Sequence, residues 1–211
     1  MAARESYNLF MNAIADVAEV FQGLARSGRG AGARPGQWTL RIVESTDVRG
    51  DGWLEVASLR EIGIVQNSRT ERHLLRPFDV LVTARAASVQ VAIVPPNVSR
   101  TVAGVTLLVV RPRSPESGMG HWLWYFLAST HGRSLLAKRM TVNASLSSIS
   151  ARNLAEVQIP VPSGPELDRM ARLVEASEAA RAAARQAAAL RHETLRDSLV
   201  QRFSGSVPGT R

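Results

Sequence analysis

The stretch "IPVPSGPELDRMARLVEASEAA", residues 159–180, changes character half-way along. Its first part is an apolar run of strand length carrying Pro160 and Pro162. Ser163 follows, with Glu166 three residues on in the spacing of a capping box, Pro165 inside the first turn, and Pro162 placed to staple onto Leu167. A helix therefore starts at this point. After Pro165 no proline or glycine interrupts it to Phe203, and a helix of about 39 residues is on the order of 58 Å long. Along it Leu173, Ala176, Ala180, Ala183, Ala187 and Leu190 alternate spacings of three and four, and Leu195, Leu199 and Phe203 continue at four. Such a seam needs another helix against it, and its alanines let the partner backbone come close. The alternative is packing back on the helix's own domain; the length and the polar flanks favour a coiled coil.

Upstream, the pattern is mostly β. Residues 7–24, YNLFMNAIADVAEVFQGL, read as a helical start with a β-branched end that stops at Gly23. Gly28, Gly30, Gly32 and Gly36 then mark a long basic loop. Short apolar runs of strand length follow: WTLRIV (38–43), WLEVA (53–57), IGIVQ (62–66), DVLVTA (79–84), VQVAIV (89–94) and VAGVTLLVV (102–110). A helical block, GHWLWYFLASTHGRSLLAKRM, is expected to break near His131 and Gly132. Trp122, Leu123, Phe126 and Leu127 recur there at helical spacing, which marks a core face rather than a platform for stacked bases. The small, polar MTVNASLSSIS leads to a helical turn, ARNLAEV, and the strand-like VQIPVP. The fold class expected is α+β: a mostly β domain with flanking helices over 1–162, a long pairing helix over 163–203, and a disordered tail over 204–211.

The chain has 211 residues, 26 basic and 18 acidic, for a formal charge of +8. Every basic residue but Lys138 is arginine, and residues 1–164 hold 18 of the basic groups against 12 acidic ones. The basic part is thus the globular part, as expected of a domain that faces a polyanion. Cysteine is absent, which removes disulfides and thiolate metal sites. No apolar run is long enough to span a membrane and the N-terminus lacks an apolar signal core, so a cytoplasmic protein without a membrane partner is expected.

Catalytic and cofactor patterns fail on inspection. A phosphate loop needs lysine after glycine, but Lys138 lies in LLAKRM. Neither Asp51 nor Glu55 has a lysine nearby to complete a nuclease site. Gly28, Gly30 and Ala33 match a dinucleotide fingerprint only nominally, because no strand precedes them and Pro35 interrupts any helix after them. The histidines 73, 121, 131 and 192 lack metal-ligand spacing and read as surface or packing residues. VPPN (94–97) reads as a turn. The expectation is a non-enzyme with no cofactor and no metal.

Three segments, in order, carry a resemblance: "IADVAEVFQGLA" (14–25), "RPFDVLVTARAASVQVAIV" (76–94) and "ASLSSISARNLAEVQIPVPSGPELDRMARLVE" (144–175). Together they resemble a target-recognition domain of the specificity (S) subunits of type I restriction-modification systems, over nearly the whole chain. Members commonly carry two such domains and two helices; this chain has one of each and resembles half an S subunit. The family's usual Glu-Gln at the helix start is here Glu166 and Leu167.

The resemblance implies a non-catalytic subunit that reads a bipartite duplex DNA target and positions an adenine-N6 DNA methyltransferase (M) subunit on it, with a restriction subunit as a further partner for antiviral defence. It also implies pairing through the helix, with itself or with another S-like chain. The residues agree with a DNA reader, since arginine both holds phosphates and matches guanine edges. Candidate contacts come from polar segments between strands: Arg26, Arg29 and Arg34 on the glycine-rich loop; Arg69, Arg72 and Arg76; Arg85 at the turn of the middle segment; and Arg133, Lys138 and Arg139 leading to Thr141, Asn143, Ser145 and Ser147. For each cation the competing reading is a solvated surface charge. The partner face of the helix is Leu173, Ala176, Ala180, Ala183, Ala187, Leu190, Leu195 and Leu199. A different class stays open at this point: a stand-alone nucleic-acid-binding regulator dimerising through the same helix.

Overall fold

A computed structural model of the chain describes residues 10–25, 37–48, 52, 54, 56–84, 89–143 and 146–204. In chain order the elements are β1 (Phe10–Ala13), α1 (Ile14–Val17), β2 (Ala18–Gln22), β3 (Gln37–Val43), β4 (Arg60–Val65), α2 (Ser68–Arg72), β5 (Val80–Thr83), β6 (Val91–Ile93), β7 (Thr101–Ala103) and β8 (Leu107–Pro112). Then come α3 (Met119–Ala128), α4 (Thr130–Lys138), β9 (Thr141–Asn143), β10 (Leu146–Ser148), α5 (Ala151–Ala155), β11 (Gln158–Val161) and α6 (Gly164–Ser204). The fold is α+β. It divides into two compact units, residues 1–171 and residues 172–211.

Two sheets organise the first unit. One is antiparallel throughout, in the order β2-β8-β5-β6; the other, β4-β3-β7, sets β3 antiparallel to β4 and parallel to β7. All four residues of β5 are buried, as the continuous VLVT run requires of a strand covered on both faces. Leu40, Ile42 and Ile62 pack with Val102 and Leu24 in one cluster; Val43, Leu81, Leu107 and Val109 belong to another. A third pairing, β1 with β11, ties the start of the described chain to the strand that runs into α6.

Long-range pairing overturns several local expectations. The helical start expected over 7–24 is β1, a single turn and β2, with residues 7–9 outside the described ones. Ala18–Gln22 pairs residue for residue with β8, and this partner outweighs any local helical preference. WLEVA forms no strand among its described residues: Leu54 is buried and residues 56–58 make a 3-10 turn. Gly52 explains the irregular path, for its φ is +75°, its carbonyl accepts from the Ile93 N–H, and a Cβ would meet the Trp124 indole. VAGVTLLVV is two strands in different sheets, β7 and β8, separated by a turn that the Leu107 N–H closes on the Gly104 carbonyl at 3.0 Å.

The helical block breaks at Ser129, two residues before the expected His131. Ser129 Oγ accepts from the Gly132 N–H at 3.1 Å and so caps α4. Gly132 lies inside α4, where a side chain would run into the Phe126 carbonyl; the glycine permits the close turn from α3 to α4. Leu123, Phe126 and Leu127 are buried and Trp122 Nε1 donates to the Pro160 carbonyl at 2.8 Å, so the aromatic face of α3 is core, as its spacing implies.

At the start of α6 the Ser163 N–H and Oγ both donate to the Glu166 carboxylate, at 2.9 and 2.7 Å. The capping pair is therefore present, with the carboxylate as the shared acceptor. Pro162 and Leu167 are both buried. Beyond, α6 is one helix of 41 residues. Leu173, Leu190, Leu195, Leu199 and Phe203 are between 47% and 72% exposed. Ala176, Ala180 and Ala183 are exposed as well, and Ala187 is half-buried. No helix among the described residues is long and apolar enough to cross a membrane.

Candidate functional site

The best-defined cationic site grows from one buried ion pair. Asp79 ends the turn before β5, and Arg111 stands on β8; both are buried, and Arg111 Nη2 lies 2.8 Å from Asp79 Oδ2. Arg111 Nε donates to the same carboxylate at 3.0 Å. Its remaining donors reach outward: Nη2 to the Leu74 carbonyl at 2.7 Å and Nη1 to the Arg72 carbonyl at 3.2 Å. Asp79 in turn accepts from the Arg76 N–H at 2.9 Å. One fork-shaped cation and one carboxylate thus fix the backbone from Arg72 to Arg76. Burial raises the Asp79 carboxyl above its ordinary value, against the hydrogen bonds and charge of Arg111, which pull it down.

On this footing α2 presents its basic residues. Asn67 Oδ1 caps α2 by accepting from the Thr70 N–H at 2.9 Å, and the Thr70 hydroxyl donates to the Val65 carbonyl, which anchors the helix to the end of β4. Arg69, Arg72 and Arg76 are exposed and His73 is half-buried. The Phe21 ring lies between His73, edge-on with centroids 5.5 Å apart, and the Arg111 guanidinium, 5.0 Å from the ring centre. Glu19, Phe21, Arg72, His73, Arg76 and Arg111 line a cavity of about 150 Å³. A more open hollow of about 370 Å³, bounded by Ser68, Arg69, Arg72 and His73, shares two of those walls. Burial lowers the His73 imidazole below its ordinary value, and the charges of Arg69, Arg72 and Arg111 lower it further; Glu19 opposes them.

The other described candidates gather elsewhere. Arg133 and Lys138 are exposed on α4, and Arg139, its C-cap, is also exposed. Arg139 lies 3.6 Å from Glu156, which Arg152 also engages, so part of its charge is already answered inside the domain. Thr141, Asn143 and Ser147 belong to the hairpin β9–β10. Val142 pairs with Ser147 and Thr141 with Ser148, so Thr141 and Ser147 point to opposite faces and cannot read one surface together. The Ile149 N–H bonds the Ala84 carbonyl, which sets this hairpin at the far end of β5 from Asp79. Five strand steps separate the two groups, about 17 Å. Arg26, Arg29, Arg34, Arg85 and Ser145 lie outside the described residues.

No protein-family model matches the sequence. No curated protein matches it either. Solved structures do. A chain of a type I restriction-modification system, from a study of its complex assembly and conformational transition, superposes with a TM-score of 0.61 at 20% identity, over 93% of this chain and 45% of that one. The fold is shared with part of the chains of type I restriction-modification S subunits. The HsdS subunit from Thermoanaerobacter tengcongensis matches with a TM-score of 0.54 at 21% identity, over 88% of this chain and 41% of its own. The S subunit from M. genitalium matches with a TM-score of 0.50 at 12% identity, over 82% and 40%. This chain spans less than half the length of each solved chain.

Within the specificity-subunit fold, sequence reasoning missed His73, Arg111 and Asp79. Asp79 and Arg111 are 32 positions apart and meet only because β5 pairs with β8. His73 carried a weak signal, its place between Arg72 and Arg76 in ERHLLRPFD. Among the described residues no group of His, Asp and Glu is placed to hold a metal ion.

Proposed function

We propose that this chain is a cytoplasmic, non-catalytic DNA-recognition subunit that reads one half of a bipartite duplex target and positions a partner adenine-N6 methyltransferase on it. The observation that carries this reading is the fold: 82–93% of the chain is shared with S subunits whose own chains are more than twice as long. The basic groups on α2 and on α4 support it, because phosphate contacts fix register on DNA and arginine forks can read base edges.

Pairing follows from α6. Its seam of Leu173, Ala176, Ala180, Ala183, Ala187, Leu190, Leu195 and Leu199 supports a coiled coil with a second copy or with another S-like chain, holding two recognition modules at a set separation. Each module then reads its half-site and the bases between go unread. A restriction subunit joins such a complex where cleavage accompanies modification.

The test is a methylome. Cells carrying the gene together with its methyltransferase should show N6-methyladenine at a split motif, and cells lacking this chain should lose it. An unchanged methylome, with the chain purifying free of any methyltransferase, would instead mark a stand-alone DNA-binding regulator and overturn the reading.

A further inference from the structure

The hollow between α2 and the β2–β8 edge has the makings of a site for a small anion. At about 150 Å³ it is well short of the 300 Å³ at which sites for cofactors and drug-sized ligands begin. Its walls carry Arg72, His73 and Arg76, with Arg111 beneath. Arg111 is committed to Asp79 and to the carbonyls of Arg72 and Leu74, so it holds the wall in place instead of reaching for a ligand. His73 Nδ1 is shut off from solvent and has no hydrogen-bond partner among the described residues. Burial and the charges of Arg69, Arg72 and Arg111 disfavour the imidazolium, in an arrangement that a negative charge would complete.

We infer that this pocket binds one phosphodiester group of the DNA backbone, with Arg72 and Arg76 as its fixed cations and His73 as a third that becomes charged when the phosphate arrives. The inference deepens the proposed function and rests on it for the source of the phosphate. Among the described residues, the charged groups facing His73 are Arg69 and Arg72 on α2 and Arg111 on β8, which disfavour its protonation, and Glu19 on β2, which favours it. Arg76 and Asp79, from the turn before β5, complete the surroundings, Asp79 being spent on Arg111. A phosphate oxygen entering between Arg72 and Arg76 offsets their charge and accepts a hydrogen bond, and both effects favour the imidazolium.

The sign is definite. Free protein holds His73 neutral at pH 7, so binding takes up a proton. Affinity then rises as pH falls through the His73 value in the complex, and levels off once the free protein is protonated too. Each unit by which the complex raises His73 gives about tenfold in affinity.

The experiment uses the full chain at constant ionic strength. The four histidine ring signals are followed by NMR from pH 5 to 8, alone, with inorganic phosphate and with a short non-specific duplex, the His73 signal being assigned from His73→Gln. Expected are an upward shift of about one unit in the His73 midpoint on adding duplex, with His121 and His192 unmoved, and a duplex affinity about fivefold higher at pH 5.5 than at pH 7.5 that His73→Gln flattens. Because the wild-type titration needs no variant, a folding defect in His73→Gln leaves the test intact. A duplex that binds while His73 stays unmoved overturns this inference and spares the proposed function. A His73 that responds to inorganic phosphate but not to duplex overturns the assignment to DNA and marks a site for free phosphate or a nucleotide. A chain that binds no duplex at all, its His73 still responding to phosphate, overturns the proposed function instead.

Discussion

Asp79 and Arg111 show how much one pair of side chains decides. Both are buried, and Arg111 bonds the carboxylate and two backbone carbonyls at once. Removing one partner strands a charge in the core. Asp79→Ala should cost about 3–5 kcal/mol in urea unfolding, whereas Asp79→Leu with Arg111→Met should cost much less, because no charge is then left unanswered. Equal losses would mean that the pair matters for its hydrogen bonds to the α2 segment and not for its buried charge. Glu166 gives a complementary case at the surface. Its hydrogen bonds from Ser163 hold the carboxyl below its ordinary value. The stabilisation is therefore fully present above the unfolded-state value and is lost as pH falls through the lower folded one. Unfolding of wild type and Glu166→Gln compared from pH 7 to pH 3 should show a difference that closes at the acid end.

Elements in this protein are chosen by their partners as much as by their own residues. DVLVTA and WTLRIV become β5 and β3 as their composition suggests, because buried, β-branched runs suit central strands. WLEVA is also rich in apolar residues and forms no strand among its described residues, where Val56–Ser58 make a 3-10 turn. The α3–α4 junction depends on a missing side chain, and Gly132→Ala should destabilise the domain by about 1–3 kcal/mol, the usual cost of forcing atoms into a filled space. A neutral result in chemical denaturation would show that the junction can shift to admit a methyl group. The exposed leucines of α6 make a different prediction. If the chain pairs with a second copy as proposed, Leu195→Glu with Leu199→Glu should leave unfolding of the first unit unchanged and convert that dimer to monomer in sedimentation analysis, because both residues are exposed in the single chain. A dimer that survives would place the pairing surface off this seam.

At the scale of the whole molecule, the proposed function asks how the basic groups on α2 and α4 would meet a duplex and how α6 would set the separation of two half-sites. If six cations meet phosphates, log affinity should fall against log salt with a slope of about −5, and a flat response would argue against backbone contacts. Shortening α6 by seven residues removes about 10 Å of helix, and at 3.4 Å per base pair the preferred spacer should shrink by about three base pairs. An unchanged spacer in the methylated motif would rule out α6 as the ruler. Much of this architecture is legible in the residues. The capping pair at Ser163, the unbroken run to Phe203, most of the strands and the buried face of α3 follow from periodicity and from where proline and glycine stand, which are properties of neighbours along the chain. What the tertiary structure alone decided is which distant groups meet. Pairing of β5 with β8 brings Arg111 under α2, β2 sets Phe21 against His73, and the hairpin β9–β10 turns Thr141 and Ser147 to opposite faces. Contacts across tens of residues depend on register, and register is settled by the packing of the whole core, so the run ERHLLRPFD hinted only weakly that a histidine read as a packing residue would line the basic pocket.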